Sequence, residues 1–334
     1  MIKYAFSFLC MLFAIVATGQ TYPTLGKIDT YDNSFAHIVA SDQKIEILTD
    51  SLKWAEGPVW VPEQGYLLCS DPTRNTMYKW SSKDGVQVFL SPSGYTGLTP
   101  YSDEPGSNGL LINHEGELVA CEHGDRRITR MPLDKGGKVT VADSWDGKRF
   151  NSPNDICQHS DGSYYFTDPP YGLPDGDSDV ANREINQDGV YKASSDGTVI
   201  QIIADVKKPN GIALSPDESI LYVGLSNPKK PYLLAYPLKE GKINGSAQVL
   251  FDFSSQFPED GAAPDGFKVD ANGNIFIAAG KGVVVIDKTG KLLGRIHTGV
   301  STANCAFGSD NWLYITASNY LLRVQLLDQS IKMQ

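Results

Sequence analysis

Asn210 to Leu225 reads NGIALSPDESILYVGL: a polar residue and a glycine, an apolar run, a turn of Ser, Pro, Asp and Glu, and a second apolar run. Apolar and β-branched residues on both sides of the turn mark two strands joined as a hairpin. The phrase recurs as EGPVWVPEQGYLLCSD from Glu56, NGLLINHEGELVACEH from Asn108, NDICQHSDGSYYFTDP from Asn154, DGFKVDANGNIFIAAG from Asp265 and NCAFGSDNWLYITASN from Asn304. A repeat of this length with several strands per copy signals a radial or stacked β architecture. Third strands follow in NTMYKW, RRITRM, DGVYKA, PYLLAY, GVVVID and NYLLRV, and fourth strands in VQVFL, KVTVA, VIQII, AQVLF and LLGRI. The last copy lacks a fourth strand, while KIEILTD, Lys44 to Asp50, precedes the first copy without a repeat of its own. Used as the outer strand of the last sheet, it closes a ring and leaves no unmatched edge between first and last copies. The prediction is an all-β chain: a six-bladed β-propeller of four-stranded antiparallel blades. It forms one domain over residues 44–328, with an extension over 20–43.

The opening residues MIKYAFSFLCMLFAIVATGQ carry Lys3, an apolar stretch and then Ala17, Thr18 and Gly19. This is the layout of a secretory signal peptide over residues 1–19, so the mature chain is expected to be periplasmic or secreted, with no membrane contact after cleavage. The net charge of -10 and the lack of a basic stripe argue against a nucleic-acid partner. Cys69, Cys121, Cys157 and Cys305 form no CxxC and no Cys/His cluster, and read as small buried hydrophobes. Cys69 and Cys121 occupy equivalent places in successive copies, on sheets too far apart for a disulfide.

In a propeller whose first strand is innermost, the residue opening each copy lies at one mouth of the central channel. Glu56, Asn108, Asn154, Asn210, Asp265 and Asn304 therefore form a ring of oxygen donors. Loops between second and third strands return to that mouth, and the longest, DPPYGLPDGDSDVANREINQD from Asp168, is a candidate lid. Converging carboxylate and carboxamide oxygens suit a hard divalent cation such as Ca²⁺. Glu56 and Asp265 would supply two negative charges, and Asn154 and Asn210 neutral oxygens. Zinc, which favours several His or Cys ligands, fits less well. Asn-Gly and Asp-Gly also occur as plain turn formers, but Glu56 has poor turn propensity, and carboxylates gathered at a channel mouth without a cation would be costly.

At these residues the chain resembles the SMP-30/gluconolactonase/LRE-like family. The similarity is carried by EGPVW around Glu56, NSPNDI and DGSYYFTDPPYG over 151–172, PNGIALSPDE from Pro209, PDGFKVD from Pro264 and NCAFG from Asn304, with SNGL at Ser107 and CEHGDRRITR at Cys121 resembling the gluconolactonase branch. The resemblance implies a divalent metal on Glu56, Asn154, Asn210 and Asp265, often calcium and in some branches zinc, manganese or iron. It also implies hydrolysis of a sugar lactone such as gluconolactone or xylonolactone. On that reading the cation polarises the carbonyl and water attacks, with Asp265 as first candidate for the base and His123 as second. Asn108, Asn154 and Asn304 would orient substrate hydroxyls, and Arg127, its neighbour Arg126 and Tyr171 would contact the sugar from loops. Asp168 is expected to stabilise its turn. The chain is expected to act as a monomer on a small molecule. A phosphotriesterase or arylesterase on the same ring, and a non-catalytic glycan- or protein-binding propeller, are the alternatives; the latter would not need Glu56 and Asp265 at the mouth.

Overall fold

A computed structural model describes residues 21–327; residues 1–19, expected from their composition to be a signal peptide, lie outside them. Six antiparallel sheets surround a channel, and the inner strands touch one another in sequence order around a closed circle. The inner strands are Glu56–Val61, Ser107–Ile112, Ile156–Gln158, Pro209–Leu214, Pro264–Val269 and Thr302–Phe307. Each pairs with its second strand, which pairs with the third, as the hairpin phrases predict. The ring closes as expected: Ile45–Thr49 is the fourth strand of the last blade, pairing Ile47 with Leu322 and Ile45 with Val324.

Between blades the core is apolar and large. Phe276, Phe307, Ile315 and Leu322 fill one seam, and Phe150, Phe166 and Tyr191 another, with ring centroids 5.1 to 5.6 Å apart. All four cysteines among the described residues are free, and Cys69, Cys121 and Cys305 are buried.

The extension proves to be structured. Thr24–Leu25 adds to the outer edge of the sixth blade, and Lys27–Thr30 adds to the fifth, pairing Lys27 with His297 and Thr30 with Gly294. Gly26 makes the crossing from one blade to the next: its φ is +68°, and a Cβ there would lie 2.1 Å from the His297 carbonyl oxygen. Asp32 then caps a 3₁₀ turn, Asn33–His37, which drives the fully buried Phe35 against Gly294. These strands are only two and four residues long, broken by Pro23 and Gly26, so they carry no alternation that a sequence pattern could register.

Candidate active site

The glycine after four of the six ring residues explains how those donors are spaced. A Cβ at Gly57 would come within 1.9 Å of the Asn108 carbonyl oxygen, and one at Gly109 within 2.6 Å of the Asn154 carbonyl oxygen. Gly211 stands in the same relation to the Asp265 carbonyl at 2.3 Å, and Gly266 to the Asn304 side chain at 2.0 Å. The main chain of these four inner strands thus rests directly on the next donor residue, which no side chain would permit. Glu56, Asn108, Asn154, Asn210 and Asn304 are buried, while Asp265 is half-buried.

Electrostatically the mouth gathers carboxyls whose ionisation is resisted. Burial pushes the Glu56 carboxyl well above its ordinary range, with Asp265 and then Glu104 adding repulsion. Asp265 is pushed up to about 8, first by burial and then by the charges of Asp155 and Glu104, against opposition from the Asn210 amide and the Gly266 N–H. The Trp54 indole and the Gly57 N–H, at 3.3 and 3.2 Å, are the hydrogen-bond donors to Glu56. Among the described residues neither Glu56 nor Asp265 has a Lys or Arg ion-pair partner.

Two of these carboxylates do not appear in the sequence-predicted ring. Asp155 follows Asn154 where four of the other copies have glycine. Its carboxyl is raised by burial, while Lys268, the Ile156 and Ile212 N–H groups and the Asn304 amide hold its charge. Glu104 comes from the connection between the first two blades, residues 91–106, and is pushed up to about 7 by burial and by Asp103 and Asp71. A signal for it existed in the topology. A blade of four antiparallel strands ends on the mouth where the next begins, so fourth-to-first connections cross the functional face as surely as second-to-third loops do.

His123 is fully buried, with Nδ1 3.1 Å from the Glu104 carbonyl oxygen. A carbonyl only accepts, so Nδ1 carries the proton and Nε2 is left as an acceptor. Burial lowers the imidazole to about 4, partly offset by that hydrogen bond, and the ring is neutral at pH 7. Tyr171 stands in the field of Asp265, its hydroxyl raised by burial, and nearby Ser226 accepts from the Asn210 amide at 3.0 Å. Arg127 is committed elsewhere, to Glu122 at 2.7 Å, Asp125 at 3.1 Å and Thr140 at 3.3 Å. Arg126 donates to the Phe150 carbonyl at 2.6 Å. Asp168 accepts from the Asn151 and Ser152 N–H groups, both at 2.8 Å, and so fastens the connection that delivers Asn154. Asp71 does the same for the segment before Glu56, accepting from the Lys53 N–H at 2.8 Å.

A cavity of about 430 Å³ is lined by Pro58, Ile112, Ile156, Leu214 and Phe307, farther along the inner strands than any donor, and it is not part of the ring. Among the described residues no three His, Cys, Asp or Glu side chains gather as a metal cluster. The ring's donor set is instead mixed, two carboxylates among carboxamides, which suits an oxygen-seeking dication.

The sequence profile of the SMP-30/Gluconolactonase/LRE-like region matches residues 54–319, from just ahead of Glu56 to the end of the sixth hairpin. The chain belongs to that family. Among SMP-30/gluconolactonase proteins it is 38% identical to a gluconolactonase of Zymomonas mobilis, over 90% of this chain and 86% of that one. A pentonolactonase of Haloferax volcanii is 25% identical over 81% of this chain and 84% of its own length. The solved structure of a gluconolactonase from Xanthomonas campestris superposes with a TM-score of 0.78 at 30% identity, covering 92% of this chain and 99% of that one.

Proposed function

We propose that the protein hydrolyses a sugar lactone to the aldonic acid, with one divalent cation, Ca²⁺ by the donor chemistry, held by Glu56, Asn154, Asn210 and Asp265. The observation that carries this reading is the pair Glu56 and Asp265: two enclosed carboxyls, both raised by burial and by neighbouring acidic groups, with no Lys or Arg ion-pair partner among the described residues. Membership in a family with gluconolactonases and a pentonolactonase supplies the reaction class.

When bound, the cation would polarise the ester carbonyl and stabilise charge on its oxygen. The remaining work belongs to the chain. Asp265, pushed up to about 8 without a cation and favoured as the carboxylate beside one, accepts the proton of the attacking water. His123 is a weak base at about 4, better suited to accept a hydrogen bond through Nε2 than to hold a proton. Asn108 and Asn304 orient ring hydroxyls, and the connection over 91–106 and the loop over 169–188 exclude bulk water. The mature chain acts after export, on the composition of residues 1–19.

The deciding experiment is proton release from gluconolactone and xylonolactone by the mature protein, before and after chelation and with Ca²⁺, Mn²⁺, Zn²⁺ or Fe²⁺ restored. Activity that vanishes with chelator and returns with metal is expected. Turnover indifferent to complete metal removal would reject the mechanism.

A further inference from the structure

Eight buried side-chain polar atoms among the described residues have no hydrogen-bond partner, and five belong to loops that meet at His123: Tyr101 Oη, Ser102 Oγ, His123 Nε2, Arg126 Nη2 and Tyr171 Oη. Buried polar groups are nearly always satisfied in native proteins, so a local concentration of orphans marks the place of a polar ligand. Three segments bring them together. The 91–106 connection lies along residues 123–125, with the His123, Gly124 and Asp125 N–H groups donating to the carbonyls of Gly106, Pro105 and Gly94 at 3.1, 3.0 and 2.8 Å. Its path is held from the other side by Asn75, whose Oδ1 accepts from the Ser93, Gly94 and Tyr95 N–H groups at 3.0, 2.8 and 3.1 Å, while Nδ2 donates to the Tyr95 carbonyl at 2.8 Å. The 169–188 loop arrives at the same histidine: a Cβ on Gly172 would lie 2.4 Å from the His123 Cβ.

We propose that Tyr101 and Ser102 of this strap, with His123, Arg126 and Tyr171, form a wall that reads the ring hydroxyls of the lactone, making the strap a determinant of substrate specificity. The chemistry is complementary to a polyol. Ser102, Tyr101 and Tyr171 can donate or accept, Arg126 only donates, and His123 Nε2 only accepts, which matches hydroxyls that do both. A site built from such groups penalises a substrate lacking the hydroxyls, because its own buried donors and acceptors are then left unpaired. Tyr95 stacks on Tyr101 at 5.1 Å and presents the phenol from a fixed ring.

This inference rests on the lactonase reading, and the test separates the two. Purified Tyr101→Phe and Ser102→Ala proteins, checked for unchanged thermal midpoint, are compared with wild type on glucono-δ-lactone and on δ-valerolactone, which has the same ring and no hydroxyls. Phe keeps the stacked ring and Ala removes one oxygen, so both should fold. The ratio of kcat/KM for the hydroxylated over the bare lactone should fall by roughly three- to tenfold in each variant, carried mainly by KM. A ratio within twofold of wild type in both variants would overturn the wall and leave the lactonase intact. A wild-type protein that opens neither lactone would overturn the lactonase reading itself, and the wall with it.

Discussion

Glu56 and Asp265 differ from their carboxamide neighbours by one charge each, and that difference assigns their roles. Glu56→Gln keeps the shape and removes the charge; Ca²⁺ affinity of chelator-stripped protein, read by titration calorimetry, should drop by about tenfold or more at the cost of one ion–carboxylate attraction. Asp265→Asn should lose turnover by at least about a hundredfold, the usual span of a missing proton acceptor, measured as kcat on gluconolactone. A normal kcat would remove Asp265 as the base. Gly57→Ala tests the packing beneath: its methyl would enter the Asn108 carbonyl from a φ of +40°, and unfolding in urea should show a loss of about 1–3 kcal/mol. The ring was legible in the sequence because it repeats; Asp155 was not, since it takes the place a glycine holds in four of the other copies, and a substitution inside a motif looks like noise until its neighbours Lys268 and Asn304 are seen around it.

Among the elements, hairpins and the closing strand were readable from alternation and turn residues, and the connections were not. The strap over 91–106 has no equivalent in other copies, so nothing in the repeat announces that Glu104 joins the mouth. On the side away from residues 123–125 the start of the strap is held by Asn75, itself left-handed at φ 51°. Asn75→Ala should release the segment: limited proteolysis should cut within 91–106 faster than in wild type, and KM should rise more than kcat falls. The N-terminal strands make a second case. Phe35→Ala would open a cavity between the fifth and sixth blades and should cost about 3–5 kcal/mol in a denaturant titration.

At the scale of the whole molecule, two titrations oppose each other. His123 has a folded acidity of about 4 against an ordinary 6.5, so its neutral form contributes stability above pH 6.5 that is lost as pH falls toward 4, about 3 kcal/mol at most. Asp265 runs the other way: raised from 3.8 to about 8, its protonated form contributes stability in acid that is lost as pH rises through 8 in metal-free protein. Urea midpoints of chelator-treated protein should therefore fall between pH 6 and 8 in wild type and less so in Asp265→Asn, while His123→Gln should flatten the decline below pH 6.5. Bound metal should suppress the alkaline loss, because a neighbouring cation favours the carboxylate.

The glycines pressed against the neighbouring donors have a consequence for how such a mouth can diverge. At Asn108, Asn154 and Asp265 the gauge is set by main chain resting on main chain, so the side chains hung there do not themselves set the spacing of the blades. Trading an amide for an acid at those three positions, or the reverse, would alter the charge presented at the mouth and leave the main-chain contacts beneath it as they are.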